Sequence, residues 1–224
     1  MKNRPAMYTP PHNREKRISV MHAAIDQIRL GTLITAGAQG PIATHVPMFV
    51  KTDPAPNGTI FGHLARANSQ WETSDLAFAA LATFVGPHAY ITPSWYETKK
   101  LTGKVVPTWQ YLAVQARGPI VFFDDRERLH DIVRRSTQIL ESSRERPWAV
   151  DDAPLEYVER MLGAIIGFEI PIQTLEGAWK FSQNKNEADL RGVIEGLEER
   201  GDVEVAALVR KRGGVDGPRD PLQP

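Results

Sequence analysis

"TLITAGAQGPIATHVPMFV", residues 32–50, carries the clearest evidence for the fold in this sequence. Two apolar, β-branched runs flank the short segment "GAQG" at residues 37–40, a pattern that predicts a strand, a tight turn and a returning strand. A tight turn joins antiparallel neighbours, whereas a parallel pair needs a crossover of a dozen or more residues. The stretch therefore predicts an antiparallel sheet.

Further apolar runs on both sides of this hairpin extend the predicted sheet. Gly86-Pro87 is expected to break one of these runs into two strands, and Gly118-Pro119 to hinge another, because proline in a strand marks an edge or a break. The additional predicted strands are "TIFGHLARAN" at 59–68, "AFAALATFVG" and "AYIT" at 77–92, "QYLAVQARGPIVFF" at 110–123 and "IIGFEIPIQTLEG" at 165–177.

Helices are predicted before and after the strands, with a pair inserted at about residues 124–162. The first helix carries an apolar stripe from Ile18 to Ile28, and Gly31 is placed as its C-terminal cap. Two more helices are expected around Gly201-Asp202. Strands that follow one another without helices between them favour a mainly β protein with appended helices, an α+β class, over a doubly wound parallel sheet.

Composition excludes several classes of function. The 224 residues contain no cysteine, which rules out disulfides, zinc–thiolate sites and a cysteine nucleophile. Lysine plus arginine equals aspartate plus glutamate at 27 each, so a role on DNA would need a local basic patch. The sequence shows neither a signal peptide nor a membrane-length apolar run, so we expect a cytoplasmic protein without a membrane partner.

One segment, "GPHAYITPSWYETKKLTGKVVPTWQY" at residues 86–111, concentrates aromatic residues. It holds two of the five tryptophans, three of the five tyrosines and three prolines. Such density is typical of core filling, of an assembly surface, or of the walls of a site for a flat ligand. The segment alone leaves all three interpretations open.

Polar donors beside aromatic surface favour a ligand. Arg66 offers a guanidinium fork and Asn68 a neutral donor directly after a predicted strand, a combination suited to a phosphate, although a plain surface loop has the same pattern. Trp109 lies between two further donors, and an edge strand is the alternative for "WKFSQN" at 179–184. The remaining candidate donors are Thr108, Gln110, Lys180, Ser182 and Gln183. Together they favour a flat, heteroaromatic, phosphorylated ligand.

Motifs for known catalytic and metal chemistry are absent. The sequence contains no P-loop, no G-x-G-x-x-G, no nucleophile elbow and no H-E-x-x-H, so no catalytic residue and no metal ligand is predicted. His45, His63 and His88 fall on or near three predicted strands. These three histidines could converge in space to bind a heme or a metal. Alternatively, they are ordinary polar residues at strand ends.

Six segments, in this order along the chain, resemble the PaiB-type FMN-binding negative transcriptional regulators. They are "MYTP" at 7–10, "GHLARANSQW" at 62–71, "GPHAYITPSWY" at 86–96, "VVPTWQY" at 105–111, "IIGFEIPIQTLEG" at 165–177 and "WKFSQN" at 179–184. The resemblance extends to about residue 200. Gln110 stands where the family commonly has asparagine, and Ala178 where it commonly has lysine.

The resemblance implies an FMN-binding split β-barrel related to the pyridoxamine-phosphate-oxidase group. The barrel domain is expected at residues 7–185. The residue pattern predicts a helical extension at 186–212, and the Pro- and Gly-rich composition predicts a disordered tail at 213–224. Such barrels are typically homodimers with two FMN sites at the interface.

The resemblance also assigns roles to the candidate residues. His63, Arg66 and Asn68 would lie near the phosphate and the ribityl chain of FMN. The isoalloxazine ring would be flanked, and the dimer interface served, by Trp95, Tyr96, Trp109 and Tyr111. The polar edges of the cofactor would contact Thr108, Gln110, Lys180, Ser182 and Gln183.

Three function classes follow from this sequence. The first is an FMN-binding regulator, the second a flavin-dependent oxidoreductase, and the third a heme- or metal-handling split-barrel protein. DNA is a partner only through the resemblance. The best local candidate for DNA contact is the last helix, which ends in Arg210, Lys211 and Arg212, but its Val- and Ala-rich face is typical of packing.

Overall fold

The computed structural model describes residues 6–53 and 57–215. These residues form two compact units, each discussed by itself. Unit 1 comprises residues 6–17, 85–114 and 176–215, and unit 2 comprises residues 18–53, 57–84 and 115–175. Both units combine antiparallel strands with helices, so the predicted α+β class is confirmed.

Between residues 30 and 123 the chain forms only two short α-helices, Gln70–Thr73 and Glu97–Thr102, among the described residues. The strands are β1 (Arg14–Glu15), β2 (Leu30–Gly37), β3 (Gly40–Lys51), β4 (Thr59–Ala65), β5 (Ala80–Ile91), β6 (Thr108–Gly118), β7 (Val121–Phe123), β8 (Ile165–Pro171) and β9 (Thr174–Lys180). The helices are α1 (Ile18–Ile28), α2 (Gln70–Thr73), α3 (Glu97–Thr102), α4 (Arg126–Glu141), α5 (Leu155–Leu162), α6 (Glu187–Arg200) and α7 (Val203–Gly213).

The hairpin formed by β2 and β3 is the centre of unit 2. Its register runs from Leu30 opposite Pro47 to Gly37 opposite Gly40, which leaves a turn of two residues. Gly40 has a φ of 120°, a conformation that a residue without a side chain adopts readily. Strands in this unit are ordered β5-β2-β3-β4-β8-β7, with β5 contributing its residues 80–84. The pairs β2–β3, β2–β5, β3–β4, β4–β8 and β7–β8 are antiparallel. The hairpin prediction is confirmed.

Gly31 does not cap helix α1, and that prediction is wrong. The helix ends at Ile28, and Arg29 takes the left-handed conformation with a φ of 61°. Gly31 lies instead within β2, where a Cβ atom would stand 2.5 Å from Met48 Cε and 2.7 Å from Phe84 Cε1. Glycine is required here because Met48 and Phe84 leave no room for a side chain. The residues adjacent to Gly31 in the sequence do not reveal this constraint.

The expected break at Gly86-Pro87 is also wrong, since β5 is continuous from Ala80 to Ile91. The register of β5 with β2 covers only Leu81–Thr83. Pro87 lies beyond this ladder with β2, and the fixed φ of proline is compatible with extended backbone, so the strand continues through it. The break at Gly118-Pro119, by contrast, separates β6 from β7 as predicted.

Two helices, α4 and α5, fall within residues 124–162 of unit 2. The Asp125 carboxylate caps α4 by accepting a hydrogen bond from Arg128 N. Leu129, on α4, packs in a small buried cluster with Val150 and the α5 residues Val158 and Leu162. This cluster fixes the helices to their own unit.

Unit 1 holds strands in the order β1-β9-β6-β5 together with a helical hairpin. The two helices of the hairpin, α6 and α7, meet at Gly201, whose φ is 87°. Buried apolar residues of the hairpin include Leu190, Val193 and Val209. Residues 216–224, which make up most of the segment predicted to be a disordered tail, lie outside the described residues.

Within the described part of the chain, each helix is too short or too polar to pass through a lipid bilayer.

Candidate functional site: a basic cavity in unit 1

A cavity of about 250 Å³ lies in unit 1 and gathers segments that are far apart in the sequence. It is formed by the short 3₁₀ turn at Pro11–Asn13, the start of β6, and the segment that follows β9. Its lining residues are Pro10, His12, Asn13, Tyr96, Val106, Thr108, Gln110, Lys180, Ser182, Asn184 and Lys185. Five of these residues are sequence-predicted cofactor contacts.

The lining carries two ammonium groups and, among the described residues, no carboxylate. Lys180 Nζ donates to Thr108 Oγ1 at 2.8 Å, and Lys185 Nζ lies 4.7 Å from the centroid of the Tyr96 ring. Burial lowers the pKa of Lys180, because removal from water disfavours the charged form. A bound anion would relieve this penalty, so the cavity is electrostatically suited to a negatively charged ligand.

Two buried polar atoms of lining residues make no hydrogen bond among the described residues. Gln110 is fully buried; its Nε2 donates to Ser182 Oγ at 2.7 Å, while its Oε1 has no donor. The Tyr96 hydroxyl likewise has no hydrogen bond of normal geometry among these residues, although the Ser182 hydroxyl lies close enough to affect its pKa. Burial raises the pKa of Tyr96, the nearby Ser182 hydroxyl opposes the shift and Asp189 adds to it, so the phenol stays protonated at neutral pH. The two residues offer one acceptor and one donor.

A strained turn positions the residues that follow β9. Ser182 has a φ of 59°, an uncommon conformation for a residue with a side chain. Gln183 stabilises the turn, since its Oε1 accepts from Phe181 N at 2.7 Å and its Nε2 donates to the Trp179 carbonyl. Gln183 therefore holds the backbone of the turn, and Ser182 contributes to the lining. Strain of this kind is common at ligand sites.

The predicted aromatic walls lie in different places within unit 1. Tyr96 lines the cavity, whereas Trp95 packs on helix α6, with the Arg200 guanidinium 5.0 Å from its ring centroid. Trp109 is 53% exposed and contacts Tyr90 at 6.1 Å between ring centroids and His88 at 6.0 Å. Trp109 is thus part of an aromatic surface outside the cavity lining.

The predicted phosphate-binding arginine lies in unit 2. The Arg66 Nε donates to the Gly163 carbonyl at 2.8 Å, and Nη2 donates to the Ile165 carbonyl at 3.3 Å. Its Nη1 lies 3.6 Å from Asp124 Oδ2. These contacts use much of the donor capacity of Arg66 to hold the end of β4 against the start of β8.

Asn68 and His63, the other two residues predicted near the phosphate, also belong to unit 2. Asn68 Nδ2 donates to Thr44 Oγ1 at 3.0 Å, and Asn68 Oδ1 accepts from Gln70 N at 2.9 Å at the start of α2. His63 lies opposite Gly167 in the β4–β8 ladder. Burial lowers the pKa of His63 and favours its neutral form.

The cavity therefore unites Tyr96, Thr108, Gln110, Lys180 and Ser182 from the sequence-predicted set. Trp95, Trp109 and Gln183 lie elsewhere in unit 1, and His63, Arg66 and Asn68 lie in unit 2. Sequence reasoning missed His12, Asn13 and Lys185. Lys185 directly follows the "WKFSQN" motif, so a motif extended by one residue would have included it. His12 and Asn13 lie near the cavity only because β1 pairs with β9, and the sequence gives no signal for that pairing.

The three histidines considered for a heme or a metal make other contacts. His45 Nδ1 lies 2.8 Å from Thr32 Oγ1, and His88 Nδ1 lies 3.0 Å from the Gly86 carbonyl. His45 and His63 belong to unit 2, and His88 belongs to unit 1. Within residues 6–53 and 57–215 there is no group of three or more acidic, histidine or cysteine side chains placed to hold a metal ion.

The basic end of helix α7 is committed to ion pairs inside unit 1. Arg210 Nη2 lies 2.8 Å from Glu198 Oε1. Arg212 is buried, lies 2.9 Å from Glu15 Oε2, and is stacked 5.4 Å from the centroid of the Trp179 ring. The helix also buries Val205 and other apolar residues. These contacts support the packing interpretation of this helix.

Solved structures of other proteins share this fold. The Azotobacter vinelandii flavocytochrome Anf3 aligns with a TM-score of 0.55 at 12% identity, over 80% of this chain and 74% of that protein. The conserved hypothetical protein Rv2991 of Mycobacterium tuberculosis aligns with a TM-score of 0.52 at 14% identity, over 78% of this chain and 90% of that protein. The fold class is thus a split β-barrel with appended helices.

Sequence comparison defines the family within that class. A family model described as "Putative FMN-binding domain" matches residues 7–174. The Bacillus subtilis protein named protease synthase and sporulation protein PAI 2 is 34% identical, over 86% of this chain and 89% of that protein. An uncharacterized protein of Emericella nidulans is 36% identical, over 92% of this chain and 98% of that protein. The chain belongs to the PaiB-like FMN-binding family, and FMN is its cofactor.

The residues of the basic cavity fit this cofactor. FMN carries a phosphate of nearly two negative charges and a ring edge with both donors and acceptors. Lys180 and Lys185 supply charge without a competing carboxylate, and the buried Gln110 Oε1 and Tyr96 hydroxyl supply an acceptor and a donor. The comparisons favour FMN binding over the heme or metal alternative.

Proposed function

We propose that the basic cavity of unit 1 binds the phosphate of FMN through Lys180 and Lys185. The observation that carries this proposal is the pair of ammonium groups that share a cavity lined by no carboxylate among the described residues. Phosphate is the one group of FMN with a full negative charge, and charge-assisted hydrogen bonds contribute about 1.5–3 kcal/mol each. Thr108 and Ser182 hydroxyls would add neutral contacts.

The sequence analysis predicts that Arg66 binds the phosphate. Arg66 therefore remains the alternative to Lys180 and Lys185 as the phosphate-binding residue. Its bonds to two backbone carbonyls and its contact with Asp124 favour the lysines. His63 and Asn68 belong to the same competing set. Trp95 and Trp109 are proposed as aromatic surface for a second subunit, and Gln183 as a support for the turn.

The experiment compares FMN with riboflavin, which has the same ring and ribityl chain but no phosphate. Flavin fluorescence is titrated with flavin-free protein that carries either Lys180→Met with Lys185→Met or Arg66→Met. Lys104→Met is a matched control because Lys104 is exposed in unit 1 and does not line the cavity. We expect the double lysine variant to lose FMN affinity by about tenfold to a hundredfold with little change for riboflavin.

Other outcomes overturn specific parts of the proposal. An equal loss for FMN and riboflavin means that the cavity holds the ring or the ribityl chain instead of the phosphate. A loss of FMN affinity confined to Arg66→Met places the phosphate at the partner that the sequence predicts. Unchanged binding in the lysine variant removes the cavity from the cofactor site altogether.

We further propose that the protein is a cytoplasmic homodimer that acts as a flavin-responsive negative regulator of transcription. Support comes from the PaiB-like family, from the exposed aromatic surface at Trp109 and Tyr90, and from a cysteine-free composition that suits a reducing compartment. FMN accepts and returns electrons, so its redox state is the natural signal. Because the α7 arginines are paired, DNA contact is proposed away from the end of that helix.

A flavin-dependent oxidoreductase is the alternative, and the comparisons do not favour it. A shift of a specific promoter fragment that persists at raised salt supports the regulator. Steady turnover of NADH or NADPH against an electron acceptor, without such a shift, contradicts it.

A further inference from the structure

A second cavity, of about 500 Å³, lies wholly within unit 2. The sheet side is formed by strands β3, β4, β7 and β8, and the opposite side by helix α4. Its lining residues are Phe49, Lys51, Phe61, Phe123, Arg128, Asp131, Ile132, Arg134, Arg135, Gln138 and Glu169. The volume falls in the range of small-molecule sites, about 300–1,000 Å³. The proposed function does not use these residues.

The sheet side of the cavity is aromatic. Phe49 and Phe61 lie opposite each other in the β3–β4 register, and their rings stack with centroids 5.7 Å apart and planes inclined by 19°. Phe123, on β7, adds a third ring to the lining. Stacked aromatic rings favour a further flat apolar group beside them.

The helix side presents one face of α4 to the cavity. Arg128, Asp131, Ile132, Arg135 and Gln138 follow one another at spacings of three, one, three and three residues, which places them on one side of a helix. Ile132 is buried and continues the apolar surface, whereas the arginines bring charge to the edge. The cavity thus combines an apolar base with a charged rim.

Positive charge dominates this rim. Four cationic side chains and two carboxylates line the cavity. One pair is neutralised, since Arg128 Nη2 lies 2.9 Å from Glu169 Oε2, and the same guanidinium lies 3.7 Å from the centroid of the Phe123 ring. The remaining charges of the lining are three positive, on Lys51, Arg134 and Arg135, and one negative, on Asp131.

The three remaining cations have no ion pair within 4.0 Å among the described residues. Lys51 Nζ lies 5.9 Å from the centroid of the Phe61 ring. Arg134 and Arg135 are exposed. One further carboxyl, Asp26, is close enough to Arg135 to feel its charge, and burial raises the pKa of that carboxyl. Counting Asp26 as charged still leaves an excess of positive charge beside the stacked rings.

We propose that this cavity is a second ligand site of the protein, for a small organic anion with a flat apolar body. The rings of Phe49 and Phe61 would hold the body, and Arg134 and Arg135 would hold the anionic group. Exposed arginines on a helix are ordinary by themselves. Their position over a stacked phenylalanine pair in a cavity of ligand size is what indicates binding, and an FMN-binding regulator would gain a second input from such a site.

The test uses the FMN-loaded protein and two probes that differ only in charge. Isothermal titration calorimetry measures binding of 8-anilinonaphthalene-1-sulfonate and of its uncharged counterpart N-phenyl-1-naphthylamine. The variant Arg134→Gln with Arg135→Gln removes the cations from the rim. The control variant Arg144→Gln with Arg146→Gln removes the same charge from exposed positions just beyond α4 that do not line the cavity.

We expect the rim variant to weaken sulfonate binding by about tenfold, with the uncharged probe and the control variant nearly unaffected. FMN content should stay the same in both variants, which separates this result from the flavin proposal. The proposal is wrong if the sulfonate does not bind, if both double variants lose affinity equally, or if the uncharged probe shows the same loss.

Discussion

Glu15 lies buried in unit 1 between two arginines. Arg17 approaches it through Nη2 at 2.5 Å, and Arg212 Nη2 lies 2.9 Å away. Burial by itself raises the pKa of Glu15, but hydrogen bonds from Arg17 and Arg212 and the charge of Arg212 outweigh it and lower that pKa from 4.5 to about 2. The folded state therefore favours the carboxylate much more than the unfolded chain does.

This depressed pKa predicts a specific pH dependence of stability. The contribution of Glu15, up to about 3 kcal/mol, is fully present above pH 4.5 and is lost as the pH falls towards 2, because the folded carboxylate then takes up its proton. Urea unfolding of the wild type and of Glu15→Gln should give a stability difference that is large at pH 7. The difference should shrink steadily below pH 4.5, and a difference that does not change with pH contradicts the assignment.

Individual site residues were partly predictable from the sequence. Lys180 and Ser182 are recognisable because charged and hydroxyl side chains alternate with aromatic ones after an apolar strand. The contacts of Arg66 were not, because an arginine after a strand looks the same whether it meets a ligand or the Gly163 carbonyl. The hydrogen-bond partners of Arg66 depend on which loop folds against the end of β4, and only the tertiary structure determines that.

Helix α6 illustrates a constraint at the scale of elements. Gly192 and Gly196 lie one turn apart and face Trp95. A Cβ on Gly196 would stand 2.5 Å from Trp95 Nε1, and a Cβ on Gly192 would overlap the Trp95 carbonyl. The two glycines let the indole lie directly against the helix backbone.

Gly196→Ala should therefore destabilise the protein by about 1–3 kcal/mol, because the added methyl group displaces the indole. The same change in an unobstructed helix would stabilise it by about 1 kcal/mol. Urea unfolding measures the difference in the wild type and in a Trp95→Leu background, where the smaller side chain leaves room. If the alanine is equally harmful in both backgrounds, the indole is not the cause.

Elements with a strong local signal were predicted well. The β2–β3 hairpin and the helix pair expected at about residues 124–162 both follow from short sequence patterns that act within a few residues. The errors at Gly31 and Pro87 have a common origin. Gly31 is constrained by the side chains of Met48 and Phe84 on neighbouring strands, and Pro87 lies beyond the part of β5 that pairs with β2. Neither fact can be inferred from the adjacent sequence.

At the scale of the whole molecule, the aromatic surface of unit 1 is the proposed contact between subunits. Trp109 is 53% exposed and Val106 is 74% exposed, although both are large and apolar. Exposed aromatic residues of this kind are enriched at protein interfaces.

Trp109→Lys should convert the dimer to a monomer, because it places a charge in an apolar contact, and FMN affinity should fall if the site is completed by the second subunit. Light scattering gives the mass, and fluorescence titration gives the affinity. Trp148→Lys is the matched control, since Trp148 is 49% exposed but lies in unit 2. A monomeric wild type, or equal effects of the two substitutions, refutes the proposed interface.

The α+β class, the antiparallel hairpin and the FMN-binding family can all be inferred from the amino-acid sequence without a structure. Hydrophobic alternation, turn residues and long motifs such as "GPHAYITPSWY" act over short distances and remain readable without a structure. Only the tertiary structure decided that Lys180, Lys185 and Gln110 share one cavity with the N-terminal turn, and that the α7 arginines are paired. Charge pairing and burial depend on distances between segments that are up to 197 residues apart in the chain, and local sequence patterns carry no record of those distances.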